Sequence, residues 1–128
     1  MNIYDITYQI RGAIFEVNKV LGYGFLEKVY EKALMIELGG RGLSVENQVP
    51  LKVSYKGQIV GEYFADLLVE GRVIVEIKSV ANLLREHQAQ LLNYLKATGI
   101  SFGLLVNFTR DKAEIKRMVL ELPEGRRE

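Results

Sequence analysis

The chain has 128 residues, 48% of them hydrophobic, and a net charge of +1, so a single folded domain with one core is expected rather than a disordered segment. It has no cysteine and one histidine, which excludes disulfides, thiolate metal sites and cysteine nucleophiles and argues against a multi-histidine zinc site. The near-neutral charge gives no global argument for nucleic acid; with no leader-like opening and no apolar run near the ~20 residues of a membrane span, the expectation is a cytoplasmic protein with no membrane partner.

Residues 4 to 21 carry Ile6, Ile10, Ala13, Ile14, Val17 and Leu21 at helical spacing, which predicts a first helix capped by Asn2 or Asp5. Gly22-Tyr23-Gly24 breaks that period and turns the chain. A second helix is predicted from Phe25 to about Leu38, with Leu26, Val29, Ala33, Leu34 and Leu38 as its apolar stripe and Gly39-Gly40 as its end. Glu27 and Tyr30 are neighbours on its surface. Taken alone, Glu27 reads as an exposed first-turn acid favoured by the helix dipole, and Tyr30 reads equally as a core ring or a functional phenol.

From Arg41 to Gly61 the pattern alternates as in strands, with Val49, Leu51, Val53 and Tyr55 on one face, Pro50 marking an edge or a bend, and Lys56-Gly57 a turn. No residue of this section stands out chemically. Lys52, Lys56 and Arg72 read as solvated side chains, or as contacts to a phosphate backbone.

The informative stretch is Tyr63 to Lys78. Leu67, Leu68 and Val69, then Val73, Ile74, Val75 and Ile77, read as buried strands into which Asp66, Glu76 and Lys78 are set. Alternation puts Glu76 and Lys78 on the face of Ile74 and turns Val73, Val75 and Ile77 the other way. Glu70-Gly71-Arg72 reads as the hairpin turn; an odd-numbered loop brings Asp66 to the Glu76 face, and an even-numbered one turns it away. Two facing carboxylates repel and are expensive to bury unpaired, so the pattern points to a cation between them. Oxygen donors on strands suit Mg²⁺ or Mn²⁺, with Lys78 placed to stabilise developing charge. The competing reading is an ordinary ion pair on a solvated strand face.

A third helix is predicted from Leu83 to Ala97, stopped by Gly99, with Leu84, Leu91, Leu92 and Leu95 apolar and with His87, Gln90 and Tyr94 along a polar line. Ser101 to Phe108 reads as a buried strand. Lys112 to Leu120 fits either a strand or a helix, and strand is the reading adopted. The tail, 122–128, is expected to fray, and its Arg126-Arg127 pair is too short for a nucleic-acid arm.

Asp66 followed by Glu76-Ile77-Lys78 resembles the D-(E/D)-x-K signature of the PD-(D/E)XK nuclease superfamily. Gly24, Glu27 and Tyr30 in GFLEKVY match the G-x-x-E-x-x-Y hallmark of the GxxExxY proteins, and His87, Gln90 and Tyr94 in HQAQLLNYLKATG are similar to that family's H-x-x-Q-x-x-x-Y-L helix. The resemblance implies an α/β, restriction-endonuclease-like core, a mixed central sheet flanked by helices. It implies a Mg²⁺- or Mn²⁺-dependent nuclease acting on DNA, less readily on RNA. Asp66, Glu76, the Ile77 carbonyl and Glu27 would hold the metal, Lys78 and Gln90 would complete the catalytic set, and Tyr30, His87 and Tyr94 would be possible substrate contacts. Ala65 stands where the superfamily's signature has proline. A binding or assembly protein on the same fold, working as a homodimer or with a protein partner, and a small-ester phosphohydrolase are the alternatives.

Overall fold

Asn2 starts the first helix by a reciprocal cap: its side chain accepts from the Asp5 N–H at 2.9 Å, and Asp5 accepts from the Asn2 N–H at 3.3 Å. The computed structural model describes residues 1–121, so the expected frayed tail at 122–128 lies outside the described residues. This helix, α1 (Ile3–Leu21), buries Ile6, Ile10, Ala13, Ile14 and Val17 of the stripe its spacing predicts, with Leu21 partly buried at its end. Gly22, at φ 73, ends it.

The second helix, α2 (Glu27–Gly40), buries Leu34 and Leu38 of its expected stripe but differs from expectation in its first turn. Its buried residues are Tyr30, Glu31, Leu34 and Leu38, whereas Leu26 is 76% exposed and Val29 is exposed as well. The large Tyr30 ring takes the inward position, stacked on Phe108 with ring centroids 4.0 Å apart, and carries the face four residues on to Leu34 and Leu38 inward with it. The helix also runs through Gly39-Gly40 and stops at Arg41, before Gly42 at φ 81.

The strands β1 (Val45–Tyr55), β2 (Gln58–Val69), β3 (Val73–Lys78), β4 (Phe102–Phe108) and β5 (Ala113–Val119) form one sheet in the order β1-β2-β3-β4-β5. The last of these settles the ambiguous segment as a strand. All neighbours are antiparallel except β3 and β4, which are parallel and joined by α3 (Arg85–Thr98) as the crossover. Pro50 lies in β1, the outermost strand, where a missing N–H is tolerated. Lys56 and Gly57, both at positive φ, make the two-residue turn from β1 to β2. Gly99, at φ 75, closes α3.

The two faces of the sheet bury separate clusters. Leu67, Val69, Val73, Val75, Ile77, Leu104 and Val106 pack with α1 and α2, while Ala65, Ile74 and Leu105 pack with Leu91, Tyr94 and Leu95 of α3. This is a mixed five-stranded sheet flanked by three helices, the α/β architecture expected of a restriction-endonuclease-like core. Among the described residues no helix is long and apolar enough to cross a membrane.

Candidate active site

The site begins where the β2–β3 ladder ends. Glu70-Gly71-Arg72 is a loop of odd length: Val69 pairs with Val73, Leu68 with Ile74 and Leu67 with Val75, which brings Asp66 opposite Glu76. Beyond Leu67 and Val75 the two carboxylates take over from the backbone. The Asp66 N–H donates to Glu76 Oε1 at 2.9 Å, and the Ile77 N–H donates to Asp66 Oδ2 at 2.8 Å. Each acid therefore uses one oxygen to hold the other's strand. The second oxygen of each is left for another partner.

Opposite Asp66, β1 is kinked at Gln48, which sits at φ 50 between the pairs Asn47↔Leu67 and Val49↔Ala65. The Gln48 amide donates to Glu31 Oε1 at 2.6 Å and reaches Asp66 Oδ1 at 3.4 Å, and Asn47 donates to Glu31 Oε2 at 3.3 Å. Glu31, only 4% exposed, is thus a buried acid whose oxygens are met by two amides.

The electrostatics follow from this crowding. Burial, and then the Asp66 carboxylate, push the Glu76 carboxyl up to about 8, against the opposing pull of the Lys78 ammonium. Asp66 is raised by burial and by Glu31, although the Ile77 N–H works the other way. The Tyr94 phenol, on α3, is raised by burial and next by the Glu76 carboxylate. Tyr94 accepts a hydrogen bond from Gln90 Nε2 at 3.0 Å. Two elements thus close on the acid pair, α2 through Glu31 and α3 through Tyr94 and Gln90.

The other expected site residues fall into two groups. Glu27 lies at the C-terminal end of β3, just past Lys78, accepting from the Ser79 N–H at 3.0 Å, and Ser79 Oγ donates to the Phe25 carbonyl at 2.8 Å. The helix acid whose charge reaches Asp66 is Glu31, one turn further along. Lys78 is half-buried and close enough to influence Glu76, but the one ion pair within 4.0 Å among the described residues is Arg41–Glu37. Tyr30, expected as a possible substrate contact, is instead fully buried: its hydroxyl donates to the Gly22 carbonyl at 2.6 Å, and a polymer has no route to it. His87 caps its own helix, with Nδ1 accepting from the Leu84 N–H at 3.0 Å.

Sequence reasoning missed Glu31, Asn47, Gln48 and Asn107. Glu31 is signalled by its i+4 spacing from Glu27. Asn107 is the lone polar residue in the run FGLLVNF; its amide donates to the Val80 carbonyl and accepts from the Val80 N–H, both at 2.9 Å, pinning the segment just after Lys78. Asn47 and Gln48 carry no comparable signal.

As donors, Asp66 and Glu76 fit a hard divalent ion. Both offer carboxylate oxygens on rigid strands, which suits an ion that keeps several waters. Among the described residues no group of three or more His, Asp or Glu is placed to hold a metal ion.

Fold and acid pair together define a nuclease-like α/β protein. The model of the PD-(D/E)XK nuclease superfamily matches residues 4–118, and the chain belongs to that superfamily. PD-(D/E)XK nucleases generally use divalent metals and bind nucleic acid. Among solved structures the chain is similar to the crystal structure of SSO0001, with a TM-score of 0.61 and 23% identity over 77% of this chain. It spans 52% of the length of that protein, and the likeness is one of fold. No curated protein matches the chain.

Proposed function

We propose that this protein is a Mg²⁺-dependent nuclease that hydrolyses phosphodiester bonds in DNA. One observation carries the reading: Asp66, half-buried, and Glu76, buried, sit on adjacent strands and are locked by each other's strand amides, with Lys78 beyond them on the face of Glu76. Gly24, Glu27 and Tyr30 keep the GxxExxY pattern, and that closer kinship is part of the proposal. Asp66, Glu76 and the Ile77 carbonyl would hold the ion. When bound, the ion supplies Lewis-acid polarisation of the scissile phosphate and lowers the pKa of water.

The protein's own groups do the rest. Lys78 places an ammonium beside the acid pair, where it neutralises charge developing on the phosphate. Gln90 fixes the Tyr94 hydroxyl and so orders the α3 side of the site. Glu27 holds the Ser79 amide, which sets the direction in which the strand leaves Lys78. Glu31 and Gln48 brace Asp66 from behind.

The test is cleavage of plasmid, linear duplex, single strands and RNA with Mg²⁺ or Mn²⁺, with Asp66→Asn and Lys78→Ala beside the parent. The expected outcome is metal-dependent cleavage of DNA, reduced at least about 100-fold in both variants, in line with the loss of a transition-state charge partner. Binding that survives both substitutions without any cleavage would instead identify an assembly protein on this fold.

A further inference from the structure

The β1–β2 hairpin is about twice as long as the other strands, and its outer half stands opposite α3. Between them runs an open groove of about 980 Å³. Lys52 and Tyr63 come from the hairpin; His87, Gln90, Tyr94 and Lys96 come from the helix. A bulge lies in the hairpin wall: Val53 pairs with Gly61 and Ser54 with Ile59, which leaves Val60 as the extra residue.

We infer that this groove seats a single-stranded polynucleotide, stacking an unpaired base on Tyr63 and holding the backbone with Lys52 and Lys96. Three features point the same way. Tyr63 is 48% exposed, and its ring lies against Gly61, where an added Cβ would come within 3.3 Å of it, and beside the tilted Tyr94 ring at 5.8 Å between centroids. A fixed, half-exposed ring offers a π-face that a base inside a duplex, already stacked on its neighbours, cannot use. Second, the groove carries two lysines, Lys52 and Lys96, against one acid, Glu86, in a chain whose net charge is only +1. That is enough for a short strand but not for the six to ten or so phosphate contacts common in duplex binding. Third, the groove runs toward the site, because its wall residue Tyr94 packs in the cluster that holds Ala65 and Ile74, on the strands that carry Asp66 and Glu76.

The inference rests on the nuclease reading for what happens at the end of the groove, and on the groove alone for binding. Its test is fluorescence anisotropy of the full chain in EDTA with labelled oligo(dT), oligo(rU) and a hairpin duplex. The expected result is preference for single strands, a log–log salt slope of roughly −1.4 from two phosphate contacts, and binding weakened roughly 5- to 150-fold by Tyr63→Ala but little by Tyr63→Phe. The DNA and RNA arms show which sugar is preferred. Lys52→Ala with Lys96→Ala should flatten the salt slope.

Duplex binding as tight as single-strand binding, an unchanged Tyr63→Ala, or no binding of either oligonucleotide overturns the inference. Metal-dependent cleavage lost in Asp66→Asn but indifferent to Tyr63→Ala would sink the groove alone. Tyr63-dependent binding with no cleavage under any metal would sink the nuclease reading alone.

Discussion

Glu76 shows how a single residue can be held in an unfavourable state by its neighbours. Its carboxyl is raised from an ordinary 4.5 to about 8, first by burial and then by Asp66. Without metal, the folded protein therefore keeps a proton between those two pH values that the unfolded chain has already lost. Stability must fall as pH rises through that window, by up to about 1.4 kcal/mol per pH unit, and level off above it. Asp66, also raised, adds to the same trend. Glu76→Gln removes the titration while keeping the shape and the acceptor for the Asp66 N–H. Urea midpoints in EDTA at pH 5, 6.5 and 8.5 should decline for the parent and stay much flatter for Glu76→Gln. Equal slopes in the two proteins would mean that Glu76 is not the strained group.

At the scale of elements, α2 separates two ideas of what its sequence means. The apolar count favours Leu26, Val29, Ala33, Leu34 and Leu38 as the inward stripe; Leu34 and Leu38 are fully buried as expected, yet Leu26 and Val29 face outward and Tyr30 takes the inward place in the first turn. Leu26→Ser should change stability by no more than about 0.5 kcal/mol, as exposed positions do, whereas Leu34→Ala should lose roughly 2–5 kcal/mol and Tyr30→Ala a similar amount. Chemical denaturation of the three variants decides it, and a large loss in Leu26→Ser would refute the orientation of the helix.

The same contrast explains what the sequence made legible. In α1 the inward positions are all aliphatic and repeat without interruption, so period alone locates them. In β3 every neutral residue is β-branched, so strict alternation places Glu76 and Lys78 on one face, and a loop of odd length then aligns Asp66. In α2 the inward row contains an amphipathic ring and an acid, Tyr30 and Glu31, and a count of apolar letters passes over both. Asn47 and Gln48 were illegible for a different reason. Their partner, Glu31, is distant in sequence, and the kink at Gln48 that turns them toward it depends on tertiary contacts that alternation does not encode.

For the whole molecule, the question is how the two sides of the sheet cooperate at one site. The α1 and α2 cluster fixes β2 and β3 from one face; α3, on the other, brings Gln90 and Tyr94 to the acids and forms a wall of the groove. The seat of α3 depends on Gly103 in β4, where an added Cβ would stand 3.0 Å from Leu91 Cδ1 and 3.1 Å from Cδ2. Leu91 has no room to move, since it is fully buried in the cluster with Ile74, Tyr94 and Leu105. Gly103→Val should therefore lift α3, destabilise by roughly 1–3 kcal/mol, and lower cleavage by displacing Gln90 and Tyr94, while Asp66 and Glu76 stay in place. Leu91→Ala alone leaves a cavity and should lose about 2–5 kcal/mol. Combined, the new valine fills the space the leucine vacated, so the double variant should be more stable than the sum of the singles by at least about 1 kcal/mol, with cleavage partly restored. Additivity within about 0.5 kcal/mol, the behaviour of independent sites, would show that this contact does not set the position of α3.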